Sequence, residues 1–264
     1  MQKHLFSISL LCISLYPSFV LSDDVVSSDK ESITSEKKRD IYDNENKNAD
    51  DPTRIVTKIG IAGDYNFESE KAGYSISGSI GLSEAQKINA RYHPDTQEWS
   101  LGGSWLFDVG IVNFNFGRSE YEDGSNFNNY SVGTFVPLSV FGIEPAGWQI
   151  FPMLGFNYTD GERPLNETNH FLKQDNPIVL HPTSSTGGYA GFFTLKPIND
   201  QFTVISFAGA SVGSDDYFGY WIGAGAGFNM TQKDSLSLLT LVTDNDYGSD
   251  KKIILSYSHT FSSN

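Results

Sequence analysis

The residues of this chain that could do chemistry are few. His170 and His181 lie near Ser184 and Ser185, and Ser258 is followed directly by His259. A serine with a histidine in reach is the minimum for nucleophilic acyl transfer, the histidine taking the hydroxyl proton as the oxygen attacks. At the rim of a lipid surface such a pair would make a lipid hydrolase. Ser258 and His259, however, are neighbours in a run that alternates with period two, so they point to opposite faces and do not pair. His181 and Ser184 stand in a stretch flanked by Pro177 and Pro182, with no third residue to orient the base. These positions read as polar loop residues, and the chain reads as a non-enzyme without a catalytic set.

Carboxylates gather at Asp215-Asp216, at Asp244 and Asp246, and at Glu120, Glu122 and Asp123. Oxygen donors of this kind suit calcium or magnesium, which could bridge them to lipopolysaccharide phosphates. The stretch Asp244 to Asp250 lacks the spaced ligands and closing glutamate of a calcium loop, so solvated acidic loops are the plainer reading and Asp215, Asp216, Asp244 and Asp246 are weak metal candidates. Gly223, Gly225 and Gly227 alternate with alanines but have no strand-turn-helix context, so they make no dinucleotide site. They leave one strand face open to close packing or to empty space. The only cysteine is Cys12, and no cofactor is called for.

What positions these residues is a succession of strands. From Ile253, apolar or aromatic residues (Ile253, Leu255, Tyr257, then Phe261) alternate with Ser256, Ser258 and Thr260. The same period marks Tyr74 to Ser83, Tyr130 to Val140 and Phe218 to Phe228. Strands are expected near 55–67, 73–83, 86–93, 97–107, 110–121, 127–140, 147–159, 187–197, 201–213, 217–230, 235–245 and 251–261. About twelve strands, with ten to fourteen as the range, make an all-β chain. The faces opposite the apolar ones carry Ser, Gly, Asn and Thr rather than the Lys, Glu and Asp of a soluble sandwich, and charge collects in the connections. Aromatics such as Tyr65, Phe67, Trp99, Phe107, Tyr158 and Phe218 fall near strand ends, as interfacial girdles do. A closed antiparallel transmembrane β-barrel follows, because only closure satisfies every backbone group in lipid. With both ends on the periplasmic side, the short connections fall there and the long one, Asp160 to Gly187, falls outside.

Tyr257-Ser-His-Thr-Phe261, preceded by Ile253 and Leu255, resembles the C-terminal insertion signal of bacterial outer-membrane β-barrel proteins. Ser262 to Asn264 follow the aromatic here as a short tail, and His259 replaces an apolar residue. The resemblance implies recognition by the barrel-assembly machinery and residence in the bacterial outer membrane, in contact with lipid and lipopolysaccharide. Size and strand count are similar to autotransporter translocator domains and to small twelve-stranded channels.

The N-terminus fits export. Lys3 precedes an apolar stretch, and Val20 and Ser22 sit at the positions a signal peptidase reads before Asp23, so residues 1–22 are a signal peptide. Residues 23–54 are charge-dense and nearly devoid of apolar side chains, which predicts a disordered acidic periplasmic extension before a barrel over 55–261. A short helix over Ser35 to Lys47, threaded into the lumen, is the alternative. The net charge of -14 argues against nucleic acid.

Function then belongs to the lumen. Lys58, Asp64, Lys87, Arg91, Lys196 and Trp221 are the lumen candidates, with Phe135, Phe151, Met153 and Phe192 as further inward residues. Basic residues outnumber acidic ones, so a passive channel for small solutes, slightly favouring anions, is the expectation. A structural or surface-interaction barrel, autotransporter-like or adhesin-like, is the alternative. Oligomeric state is left open.

Overall fold

The computed structural model describes residues 41–95, 97–120, 126–164, 180–214, 216–246 and 248–262. Twelve strands follow in order: β1 (Thr57–Asn66), β2 (Lys71–Ser83), β3 (Gln86–His93), β4 (Glu98–Phe107), β5 (Gly110–Glu120), β6 (Asn126–Phe135), β7 (Gln149–Pro164), β8 (Leu180–Pro197), β9 (Phe202–Gly213), β10 (Phe218–Asn229), β11 (Asp234–Asn245) and β12 (Gly248–Ser262). Each pairs antiparallel with its neighbours in sequence, and β1 closes on β12, from Lys58 opposite Thr260 to Asn66 opposite Lys252. The sheet therefore has no free edge, as a lipid-spanning sheet requires. Among the described residues no helix is long and apolar enough to cross a membrane.

The largest departures from the period-two reading are at three strand boundaries. β6 stops at Phe135 because Pro137 has no N–H for the ladder, and Leu138–Phe141 turns as a 3-10 helix instead. β7 and β8 run further than expected, with Gly161 to Pro164 pairing with Thr183 to Leu180. Much of the long connection is thus a strand pair; its remainder, 165–179, lies outside the described residues.

Alternation sorts the side chains. On β1, Ile59, Ile61 and Tyr65 point outward, while Lys58, Gly60, Ala62 and Asp64 point inward. Outward residues such as Leu154 (56% exposed), Phe156 (64%) and Ile222 (54%) would be an untenable surface in water. A 10-residue strand such as β1 is ~33 Å long. Tilted by ~40° it rises ~25 Å, the height of a lipid-facing band.

The core lies inside the barrel, toward the end that carries the short turns (the turn end). There Leu106, Ile111, Phe135, Phe151, Leu195 and Ile205 form an apolar cluster, joined by Ile41 and Ile55 from the segment before β1. This corrects the expected extension over 23–54 as far as residues 41–54 are concerned. Asn44, Thr53, Ile55 and Val56 are 1–3% exposed, and the segment is packed into the turn-end mouth. Its charge density is compatible with burial because polar atoms of the barrel meet its backbone and side chains, as described next. Residues 1–40, including positions 35–40 of the expected lumen helix, lie outside the described residues.

Candidate functional site

Residues 41–56 bridge opposite sides of the barrel wall. On one side, Tyr42 donates to Asp108 (3.1 Å) in the β4–β5 turn, and the Asn44 amide donates to the Glu84 carbonyl (3.0 Å) in the β2–β3 turn. Lys87 donates to the Arg54 carbonyl (2.6 Å), and Ser79 to the Val56 carbonyl (2.7 Å). On the other side, the Asn48 amide donates to Thr203 on β9, and Asp50 accepts from Ser237 on β11. Asp50 also occupies the space a side chain at Gly227 would need. Within the segment, Lys47 donates to the carbonyls of Ile41 (2.6 Å) and Thr53 (3.0 Å), tying the loop to itself.

Burial sets the electrostatics of this segment. It pushes the Lys47 ammonium down to about 8, against the pull of Asp51 and Asp43. It raises the Asp50 carboxyl, opposed by Lys58, by the Ser237 hydrogen bond and by Arg54. Tyr42 is pushed up to about 12, first by burial and then by its bond to Asp108.

The lumen wall is divided. Among the described inward side chains, charge is confined to β12 and β1–β4, where Lys58, Asp64, Lys71, Lys87, Arg91, His93, Glu98, Asp250 and Lys252 face inward. Lys252 pairs with Asp250 (3.1 Å), which also accepts from Asn66 (2.6 Å). Four of these sequence-singled residues, Lys58, Asp64, Lys87 and Arg91, are lumen residues. Lys196 is not: it stands opposite Val204 on the outward face and bonds to the Ala146 carbonyl at the turn-end rim. Phe192 also faces outward, 47% exposed. Both were misassigned because β8 carries apolar residues on both faces, so its period gives no parity.

The described inward side chains of the facing wall, β5–β10, are uncharged, and the wall is built of glycine floors with rings laid over them. The Trp221 ring lies against Gly209, Tyr189 against Gly155 and Gly133, and Phe207 against Gly223, each where a Cβ would collide with the ring. Tyr189 meets Trp221 edge to face at 6.3 Å, and Phe193 stacks on Phe207 at 6.3 Å. The alternating glycines singled out in the sequence thus receive a ring at Gly223, Leu239 at Gly225 and Asp50 at Gly227.

The remaining sequence candidates are not brought together. Ser258 faces inward and shares a hydrogen bond with Ser235 (2.9 Å), whereas His259 faces outward and contacts Asp234 (2.8 Å), which also accepts from Tyr257 (2.7 Å). Ile253, Leu255, Tyr257 and Phe261 lie on the outward face of β12. Ser184 and Ser185 lie on β8, while His170 and Asp215 fall outside the described residues. Asp244 accepts from Tyr220 (3.3 Å) and Asp246 from the Phe218 N–H (2.7 Å), so these carboxylates fasten the β10–β11 rim. Among the described residues no group of three metal-ligating side chains converges.

A closed twelve-stranded antiparallel barrel, apolar and aromatic outside and polar within, has the architecture of the bacterial outer-membrane β-barrels. The fold is similar to that of the NanC porin, with a TM-score of 0.50 and 12% identity over 76% of this chain and 98% of that one. The translocator domain of the autotransporter NalP from Neisseria meningitidis aligns with a TM-score of 0.49 and 10% identity, over 88% of this chain and 96% of that one. The KdgM porin aligns at 0.44 and 6% identity, over 78% and 99%. No family model matches the sequence, and no curated protein does.

Proposed function

We propose that the chain is an outer-membrane channel for small polar solutes, closed at its turn end by its own residues 41–56. The observation that carries this reading is the inward face: small polar and ionisable side chains line β12 and β1–β4, as a wet pore needs and a packed structural barrel does not. Among the described residues, five inward cations on the strands (Lys58, Lys71, Lys87, Arg91, Lys252) face three carboxylates (Asp64, Glu98, Asp250), a small bias toward anions. The turn end is periplasmic in this proposal, and a cleaved leader brings the chain to the membrane.

The rival, a structural or surface-interaction barrel, draws on the same segment, since a permanently shut mouth conducts nothing. The segment bonds to turn-end partners, Glu84, Asp108 and Thr203 among them, which argues against a passenger threaded toward the loop end. Planar-bilayer recordings separate the two. The channel reading expects steady conductance from a chain lacking residues 41–54 and intermittent conductance from the intact mature chain. Silence from both, in protein that runs as a heat-modifiable band, would establish the rival.

A further inference from the structure

The uncharged wall holds polar atoms that the protein leaves unmet. Asn113 and Asn115 on β5 are 3% and 4% exposed, and their Nδ2 atoms have no protein partner; nor do Asn129 Oδ1 on β6, Asn157 Oδ1 on β7 or Trp221 Nε1 on β10. Such groups are costly to bury unless something supplies the missing bonds. They are not scattered. Asn115, Ser131 and Asn157 lie opposite one another in a single row across β5, β6 and β7, and the next row runs Asn113, Gly133, Gly155, Tyr189. Glycine is required beside the amides: a Cβ at Gly102 would lie 2.8 Å from Asn115 Oδ1, and one at Gly187 would lie 3.0 Å from Asn157 Oδ1.

Unmet donors (Nδ2, the indole N–H) and unmet acceptors (Oδ1) stand together, next to aromatic rings and away from charge. Among the described inward side chains of β5–β10 there is no Asp, Glu, Lys, Arg or His; the carboxylate that reaches this wall is Asp50 of the docked segment, at Gly227. An ion would gain little here. A hydroxyl both donates and accepts, and the C–H face of a sugar ring packs on an aromatic. We infer that Asn113, Asn115, Asn129 and Asn157, with Tyr189 and Trp221, form a subsite for neutral polyhydroxylated solutes. This rests on the channel reading and names its solute class.

The test is saturation-transfer NMR on the intact mature chain in detergent, with glucose and glucuronate as probes that share the pyranose ring but not the charge. Saturable glucose binding is expected, about tenfold tighter than glucuronate, and about tenfold weaker in Asn115→Leu or Trp221→Leu. Lys252→Ala, on the charged wall, should leave glucose binding unchanged. Glucuronate binding as tightly as glucose, or glucose binding indifferent to both wall variants, overturns the subsite. Should the variants fail to fold, the wild-type comparison of the two probes decides alone. Binding is read without current, so conductance without glucose binding sinks only the subsite, and binding without conductance sinks only the channel.

Discussion

Closure of the turn end is expected to depend on pH through Lys47. Its ammonium is withdrawn from water in the docked segment and is pushed from an ordinary lysine value of 10.5 down to about 8. The docked state therefore holds the proton less well than the released state does. Below pH 8 the lysine is charged in both states and docking carries a constant penalty. As pH rises through about 8 toward 10.5 the docked lysine sheds its proton first, and closure strengthens. At ~1.4 kcal/mol per unit, and allowing for residual water at the site, the gain is about 2–3 kcal/mol, on the order of 10²-fold in the docking equilibrium. Asp50 does not interfere, because a raised carboxyl favours docking only on the acid side. Tyr42, pushed up to about 12, begins to weaken docking only above pH 10 and so leaves the window from pH 8 to 10 untouched. The assay is the closed fraction of single channels across that window, beside the Lys47→Met chain, which keeps the length of the side chain without its charge. Closure that weakens between pH 8 and 10, or a slope that survives in Lys47→Met, would refute the reasoning.

Three further outcomes are expected. Ile41→Ala removes an apolar anchor that is 4% exposed; docking should weaken by about 2–4 kcal/mol, read as faster proteolysis of the segment with an unchanged heat-modifiable barrel. Gly155→Val would collide with the Tyr189 ring and should cost about 1–3 kcal/mol of barrel stability, measured by urea unfolding in detergent. Ile61 and Ala62 are neighbours on opposite faces of β1, so Ile61→Arg should cost about 2–4 kcal/mol in lipid while Ala62→Arg costs far less; equal costs would invert the assignment of the faces.

The strands were legible because one local rule, alternation, decides both where a strand lies and which face meets lipid. It held for Tyr74 to Ser83, where Tyr74, Ile76, Ile80 and Leu82 are exposed, and it failed where both faces are apolar, as around Phe192 and Lys196. The docked segment was illegible for a different reason. Ile41 stands in a charged stretch and Ile55 reads as the first residue of a strand, and their partners, such as Leu106 and Ile205, are remote in sequence. No local window contains that pairing, so composition alone reads as disorder. The amides of β5–β7 share this property: Asn113 and Asn157 look like ordinary polar positions until the register sets their rows side by side.

The segment's grip on both flanks of the wall also bears on assembly. Its partners lie on β2, β3 and the β4–β5 turn on one side, and on β9–β11 on the other. These two surfaces face each other only after β1 has zipped onto β12, so an open, half-built sheet offers no complete docking site. Because Val56 leads directly into Thr57, the segment is always at hand when the seam closes. A barrel shut in another register would set these two flanks at a different offset, so the docked segment and the β1–β12 register are geometrically tied.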